Sequence, residues 1–577
     1  MYLNLGAGKV LWRNERMKKL PYDVIVKAVW IIFSIIITYL MLASVFSTSF
    51  LGEVEIYNSY TKEVELYSGH TFFVRDAWWL HLMVFAICTV VLYFADMNKN
   101  YQHFEWVCGI VIVLFMLTLL LLASTEPTSD SVKMLRVVSE FERGDYSSFE
   151  TDQYMFRYPF QYGIIVFYQM LSQIFGMTNY FAFRFFNLIF IILTYYFLLK
   201  IIKLVDGFQN IYPFLILVGM AFTPYFFYVT LIYGNIIGFF FSVCSFYFFL
   251  KYDKDNNWIS IVISILTIIL AIIFKSNCKI FFVAEVLILC VSILKDRNEK
   301  KIVWQRILII MCFLIGVGAS SKLIEHKITD LAGEHVEGMP MITWVAMGLC
   351  ESKAAPGWYN GLSAELYSNN NFEYEATVDD SLDFIHEKII RSVKDPGYAI
   401  DFYSRKILSM WNNPQFSSLE MISSNSGTIW DYLFKNEGRY IYVWINNLIH
   451  TWILIGVFLY AVLSYKTISY KKLLLPISIV GGFVFHIFWE AKCMYAMPYV
   501  VLMLPLSISG YMKWSEWLKE YKGKKRLLKK GLLLGVTVVC LLSYTEIFTR
   551  IIARDDDTTR YDTYTRERVI YDREEIY

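Results

Sequence analysis

About thirteen apolar runs, each close to the roughly 20 residues a helix needs to cross a bilayer, dominate this chain. They lie near 24–46, 78–95, 104–123, 180–199, 211–227, 231–250, 258–274, 279–294, 304–323, 446–465, 472–489, 494–512 and 530–548. Composition agrees, since 56% of residues are apolar and 18% charged, a balance no water-soluble globule presents to solvent. The net charge of +2 offers no field for nucleic acid. Nine cysteines are scattered without a CxxC pair, so the sequence indicates neither a disulfide framework nor a zinc site. The expected fold class is an all-α integral membrane protein with interfacial helices and a small extracytoplasmic cap domain.

Charge orients the spans. A fourteenth apolar run, 162–176, is short and carries Gln169, Ser172 and Gln173. If it does not cross, the cationic links all fall on one side: the N-terminal arm, Lys200/Lys203, Lys251/Lys254, 295–301, Lys466 with Lys471/Lys472, and 513–530. The positive-inside rule therefore predicts a flat interfacial helix at 162–176 and a cytoplasmic N-terminus. The chain divides into an N-terminal transmembrane region (1–323) with an outer loop at 124–179, an outer cap (324–445), a second transmembrane region (446–548) and an outer tail (549–577). GEVEIYNSYTKEVELYSG (52–69) alternates in period two around a polar turn and predicts a β-hairpin outside the membrane. Turn-formers interleaved with aromatics make 324–445 a folded unit rather than a linker.

Chemistry is expected on the outer face. Asp130 opens an amphipathic stretch in which Met134, Leu135, Val138 and Phe141 repeat at helical spacing. It reads either as a helix N-cap or as a carboxylate free to act as a base. Arg157, Arg184, Lys275 and Lys492 are cations near outer helix ends. Each reads either as a headgroup anchor or as a site for an anion. His486 and Glu490 lie four apart on one helix face, as a structural pair or a relay. His326 and His335 match no metal-ligand spacing, so no metal is expected. Trp344, Trp358 and Tyr359 suit either cap packing or stacking on a sugar.

Several of these residues stand in a known order. Asp130 is followed by Gly144-Asp145-Tyr146, Arg157-Tyr158-Pro159, Phe175-Gly176 and Arg184. Later come TPYFFYVTLIYGN (223–235), WVAMGLCESKAAPGWYN (344–360) and Glu490-x-Lys492-x-x-Tyr495-x-x-Pro498. This series resembles the GT-C fold class of polyprenyl-phosphate-sugar-dependent glycosyltransferases, which includes the protein O-mannosyltransferases and aminoarabinose transferases. It departs from the pattern at Ser131, where many members have Glu, at Arg157-Tyr158, where Lys-Pro is usual, and at Met494, where Arg is usual.

The resemblance implies an inverting transfer of sugar from a polyprenyl-phosphate donor to an acceptor hydroxyl at the outer face, with Asp130 as general base. Arg157, Lys275, Lys492 and Arg184 would hold the lipid phosphate. Tyr158, Glu490, Tyr495, His486 and Trp358 are the candidates for sugar and acceptor. The lipid-linked sugar serves as co-substrate, with no metal, and the partners are membrane lipid and a glycan or cell-envelope acceptor. A lipid-linked-glycan flippase would place polar groups at mid-membrane and show symmetric halves. These spans keep charge to their ends, and no halves repeat. A glycan polymerase or ligase would use a lipid-pyrophosphate donor instead.

Overall fold

The computed structural model describes residues 5–58, 63–94, 102–122, 126–127, 130–206, 218–219, 221–421, 438–519 and parts of 535–570. Among them, eight helices are long and apolar enough to cross a membrane, and three shorter apolar helices accompany them. These account for eleven of the expected runs. Residues 211–217 and 220 of the run 211–227, and most of the run 530–548, lie outside the described residues.

The chain begins with α1 (Leu5–Phe46), the strands β1 (Ser47–Asn58) and β2 (Glu63–Arg75), then α2 (Trp78–Phe94) and α3 (Gln102–Leu122). Two amphipathic helices follow, α4 (Asp130–Glu142) and α5 (Tyr162–Phe175). The next helices are α6 (Tyr180–Asp206), α7 (Gly234–Asp255), α8 (Trp258–Phe274), α9 (Lys279–Lys295) and α10 (Lys300–Ala332). The cap holds α11 (Ile342–Gly348), α12 (Leu362–Asn369), α13 (Tyr374–Lys394) and α14 (Pro396–Trp411). The chain then returns through α15 (Gly438–Leu463), α16 (Leu474–Phe488) and α17 (Cys493–Lys519).

Ion pairs gather the basic links at one end of the bundle. Asp206, closing α6, lies 3.3 Å from Lys472 and 3.7 Å from Lys513. Asp253, closing α7, lies 2.6 Å from Lys471, and Arg306 at the start of α10 lies 2.6 Å from Asp296. At the opposite end lie Lys275 after α8, Glu490 after α16, and Asp130, whose neighbour Ser131 bonds to Ile232 just before α7.

Both ends of α5 sit at that second end. A Cβ on Gly163 would fall 2.3 Å from Ile273 in the last turn of α8, while Phe175 rings with Phe186 in the second turn of α6 at 6.1 Å. At 1.5 Å per residue, 14 residues reach about 21 Å, short of a hydrocarbon core of about 30 Å. The helix lies across the bundle end, and Ile164, Ile165 and Tyr168 pack there on Met134, Leu135 and Val138 of α4.

Two expectations are amended. The span predicted to end at 323 runs on to Ala332, because Ile324, Ile328 and Leu331 keep a helical stripe against the α4–α5 cluster. Charge is also not confined to span ends: Glu285 sits fully buried within α9. The hydroxyl of Ser245 donates to its Oε1 at 2.7 Å, which makes that position tenable.

The hairpin is longer than its charged repeat suggests, pairing Ser47 with Arg75 through to Asn58 with Glu63. Phe50 stacks on Phe72 and meets Tyr440 edge-on, so the paired strands cover the start of α15. At its base a charged cluster is closed off from solvent. Arg550 donates to Asp76 Oδ1 at 2.6 Å and lies 3.2 Å from Glu546, and its guanidinium covers the Trp444 ring at 4.9 Å. Asn447 and Thr48 donate to the other Asp76 oxygen. Removing one partner of a buried pair strands the other charge. Arg550→Met is expected to destabilise the protein by about 3–5 kcal/mol, read as thermal unfolding in detergent. Adding Asp76→Asn to that variant is expected to recover part of the loss.

Candidate functional site

Four separate stretches of chain meet at the end opposite the basic links. The first turn of α4 is pinned by Ser131, whose buried hydroxyl donates to the carbonyl of Ile232 at 2.9 Å. That bond sets exposed Asp130 beside the turn leading into α7. Helices α7 and α8 approach too closely for side chains on their facing turns. A Cβ on Gly234 would lie 2.1 Å from the Phe274 carbonyl, and one on Gly238 would lie 2.8 Å from Cβ of Lys275. The contact brings the Lys275 ammonium 4.6 Å from the centre of the Tyr233 ring, a cation–π distance.

The fourth stretch joins α16 to α17. Tyr495 donates to Glu490 at 3.3 Å, and the His486 ring stacks on Tyr495 at 5.5 Å. The expected His486–Glu490 pair is therefore a ring-to-main-chain contact, with Nδ1 3.2 Å from the Glu490 carbonyl. Glu490 is buried, and burial holds its carboxyl above the ordinary range against the pull of Lys492 and Lys275.

Electrostatics link the four stretches. Burial pushes the Lys275 ammonium down to about 8, opposed by Cys278, Asp130 and Glu490 and reinforced by Lys492. Burial also raises the phenols of Tyr154 and Tyr158, that of Tyr158 to about 12, and the negative charge of Asp130 adds to both shifts. Tyr359, mostly exposed on the cap, feels Glu490 and Asp130 together. Asp130, Tyr158, Lys275, Glu490, Lys492 and Tyr495 thus lie near one another at this end of the bundle.

Other expected residues stand at its edge or behind it. Arg157 pairs with Asp152 and packs 6.0 Å from the Phe372 ring, while its charge still reaches Tyr158 and Tyr359. Its main-chain carbonyl accepts from Met339 at 3.1 Å, joining this rim to the cap. Arg184 is buried and donates to the carbonyl of Thr230 at 2.9 Å, bracing the turn that carries Ile232. Trp358 is also buried, its indole N–H donating to Ser409 at 2.9 Å, so it packs the cap while neighbouring Tyr359 takes the open position.

Tyr154 and Tyr233 are part of the arrangement, and Lys406 lies behind the link that carries Glu490; none of the three was singled out by the sequence. The one local signal is Tyr233, an aromatic residue directly before the glycine that opens a span. The site as a whole offers one exposed carboxylate, one buried carboxyl and two ammonium groups among tyrosines. That set suits proton removal from a hydroxyl close to a bound anion.

No family model matches this sequence, and no curated protein matches it. Among solved structures, the chain is similar to the crystal structure of the Archaeoglobus fulgidus oligosaccharyltransferase tethered by a disulfide bond to an acceptor peptide containing the NVT sequon. Identity is 11% and the TM-score 0.40, over 79% of this chain and 55% of that one. The chain thus spans little more than half the length of that structure.

Because burial pushes the Lys275 ammonium down to about 8, binding of an alkyl monophosphate, used as an anion probe, is expected to weaken as pH rises from 7 to 9. A bound anion favours the ammonium and moves the fall upward. Titration by ligand-induced thermal shift should show the trend in the wild type and a flatter profile in Lys275→Met.

Proposed function

We propose that this protein is a membrane glycosyltransferase of GT-C type. In this reading it moves a sugar from a polyprenyl-phosphate donor to an acceptor hydroxyl of a glycan or cell-envelope component. The observation that carries the reading is the gathering of Asp130, Lys275, Glu490 and Lys492 at the end opposite the basic links. By the positive-inside rule those links mark the cytoplasmic side, so the site belongs to the extracytoplasmic face of the cell membrane.

Asp130 takes the acceptor proton as the hydroxyl oxygen attacks the anomeric carbon. The bond from that carbon to the phosphate oxygen breaks on the opposite side, and the configuration inverts. The lipid monophosphate leaves with its charge held by Lys275 and Lys492, with Arg157 at the rim. Fixed positive charge in a water-poor site stabilises such a leaving group without reorganisation. Glu490, Tyr495, Tyr158 and Tyr359 orient the sugar and acceptor hydroxyls.

Asp130→Asn keeps the size of the side chain and removes the base. Transfer from a radiolabelled lipid-linked sugar in membranes is expected to fall about 10²–10⁴-fold. Wild-type turnover in that variant would remove Asp130 from the mechanism.

A further inference from the structure

Lys406 lies on α14 with only 1% of its surface exposed. Its ammonium donates to the carbonyl of Gly348 at 2.5 Å and to that of Trp489 at 2.9 Å. The side chain threads a passage that glycines keep open. Gly357 has φ +76°, and a Cβ there would lie 2.6 Å from Cε of Lys406. A Cβ on Gly348 would lie 2.4 Å from the Phe488 carbonyl.

Around this stem the cap loop and the α16–α17 link are stitched together. Ala491 donates to the Gly357 carbonyl at 2.7 Å, and Gly357 donates to that of Cys350 at the same distance. The neighbouring Arg405 is engaged elsewhere, 2.6 Å from Glu351 and 2.7 Å from Asp401. Burial pushes the Lys406 ammonium down to about 7, and the charge of Glu490 opposes that shift.

Burying an ammonium is costly unless its protons are bonded, and an apolar side chain of equal length fills the same passage without that cost. Its N–H donors therefore serve the two carbonyls they join. One belongs to the cap. The other stands directly before Glu490 and three residues before Lys492.

We propose that Lys406 is a positioning residue whose ammonium clasps the cap loop to the Trp489–Ala491 link and so holds Glu490 and Lys492 in the site. The consequence for donor binding rests on the glycosyltransferase reading; the clasp itself does not. Binding of the lipid phosphate by Lys492 then depends on a side chain that touches neither donor nor acceptor.

Two measurements on the full-length protein test this. In Lys406→Met, hydrogen exchange at the amides of Gly357 and Ala491 is expected to quicken at least tenfold, while slow amides in α15 and α17 stay slow. Kinetically, Lys406→Met is expected to raise KM for the lipid donor about tenfold. Combined with Lys492→Met, it should raise KM no further than Lys492→Met does alone, because both act through one group. Gly357→Ala crowds the clasp while keeping the ammonium, and should reproduce both signatures if Lys406→Met does not fold.

Unchanged exchange at the two amides overturns the clasp. Independent, additive effects on donor KM overturn the coupling to Lys492. If the wild type transfers no sugar from a lipid donor, the glycosyltransferase reading fails, and the exchange measurement alone decides the clasp.

Discussion

An ionisable group at mid-membrane costs about 2.5–3.5 kcal/mol, and the structure follows from where its charges settle instead. At one end, acids and bases are matched: Asp206 with Lys472 and Lys513, Asp253 with Lys471, Asp296 with Arg306. At the other end, among the described residues, Asp130, Lys275, Glu490 and Lys492 form no ion pair within 4 Å, while Arg157 at the rim pairs with Asp152. Lys275 lies over the Tyr233 ring and feels the charge of Asp130, and Glu490 is hydrogen-bonded to a phenol instead of an ammonium. The matched end closes the bundle, while the loosely matched end keeps its charges available to something that binds.

Close backbone packing makes that arrangement possible. Gly234 and Gly238 let α7 and α8 touch, and the touching turns carry Tyr233 and Lys275. Amphipathic α4 and α5 then lie across the bundle end, and the hydroxyl of Ser131 fixes the height of Asp130. A face of the bundle that would otherwise be open to lipid headgroups becomes a floor with walls. The cap completes it through the Met339–Arg157 and Ala491–Gly357 main-chain bonds.

Much of this was legible in the sequence. Eleven of the thirteen expected apolar runs, and the lie of α5 across the bundle end, followed from hydropathy and the side on which lysines fall. Asp130, Lys275, Glu490 and Lys492 stood at helix ends, where a charge in a membrane protein attracts notice. What was hidden depends on contacts between distant segments. Trp358 and Tyr359 are adjacent aromatics of similar promise, and only the packing of Ser409 against one of them decides which turns inward. Lys406 looked like one more cap lysine, since nothing local announces that its stem passes a glycine 49 positions earlier in the chain. Glu285 was overlooked for the reverse reason: its span averages apolar, and the serines that receive it lie on two other helices.

The cluster around Asp76 also imposes an order in time. Arg550, its ionic partner, lies 474 residues further along the chain. At about 5–20 residues per second, synthesis takes roughly 24–95 s to supply it. Through that interval Asp76 has been made but its Arg550 partner has not, so the buried cluster at the base of the hairpin can close only once nearly the whole chain has been synthesised.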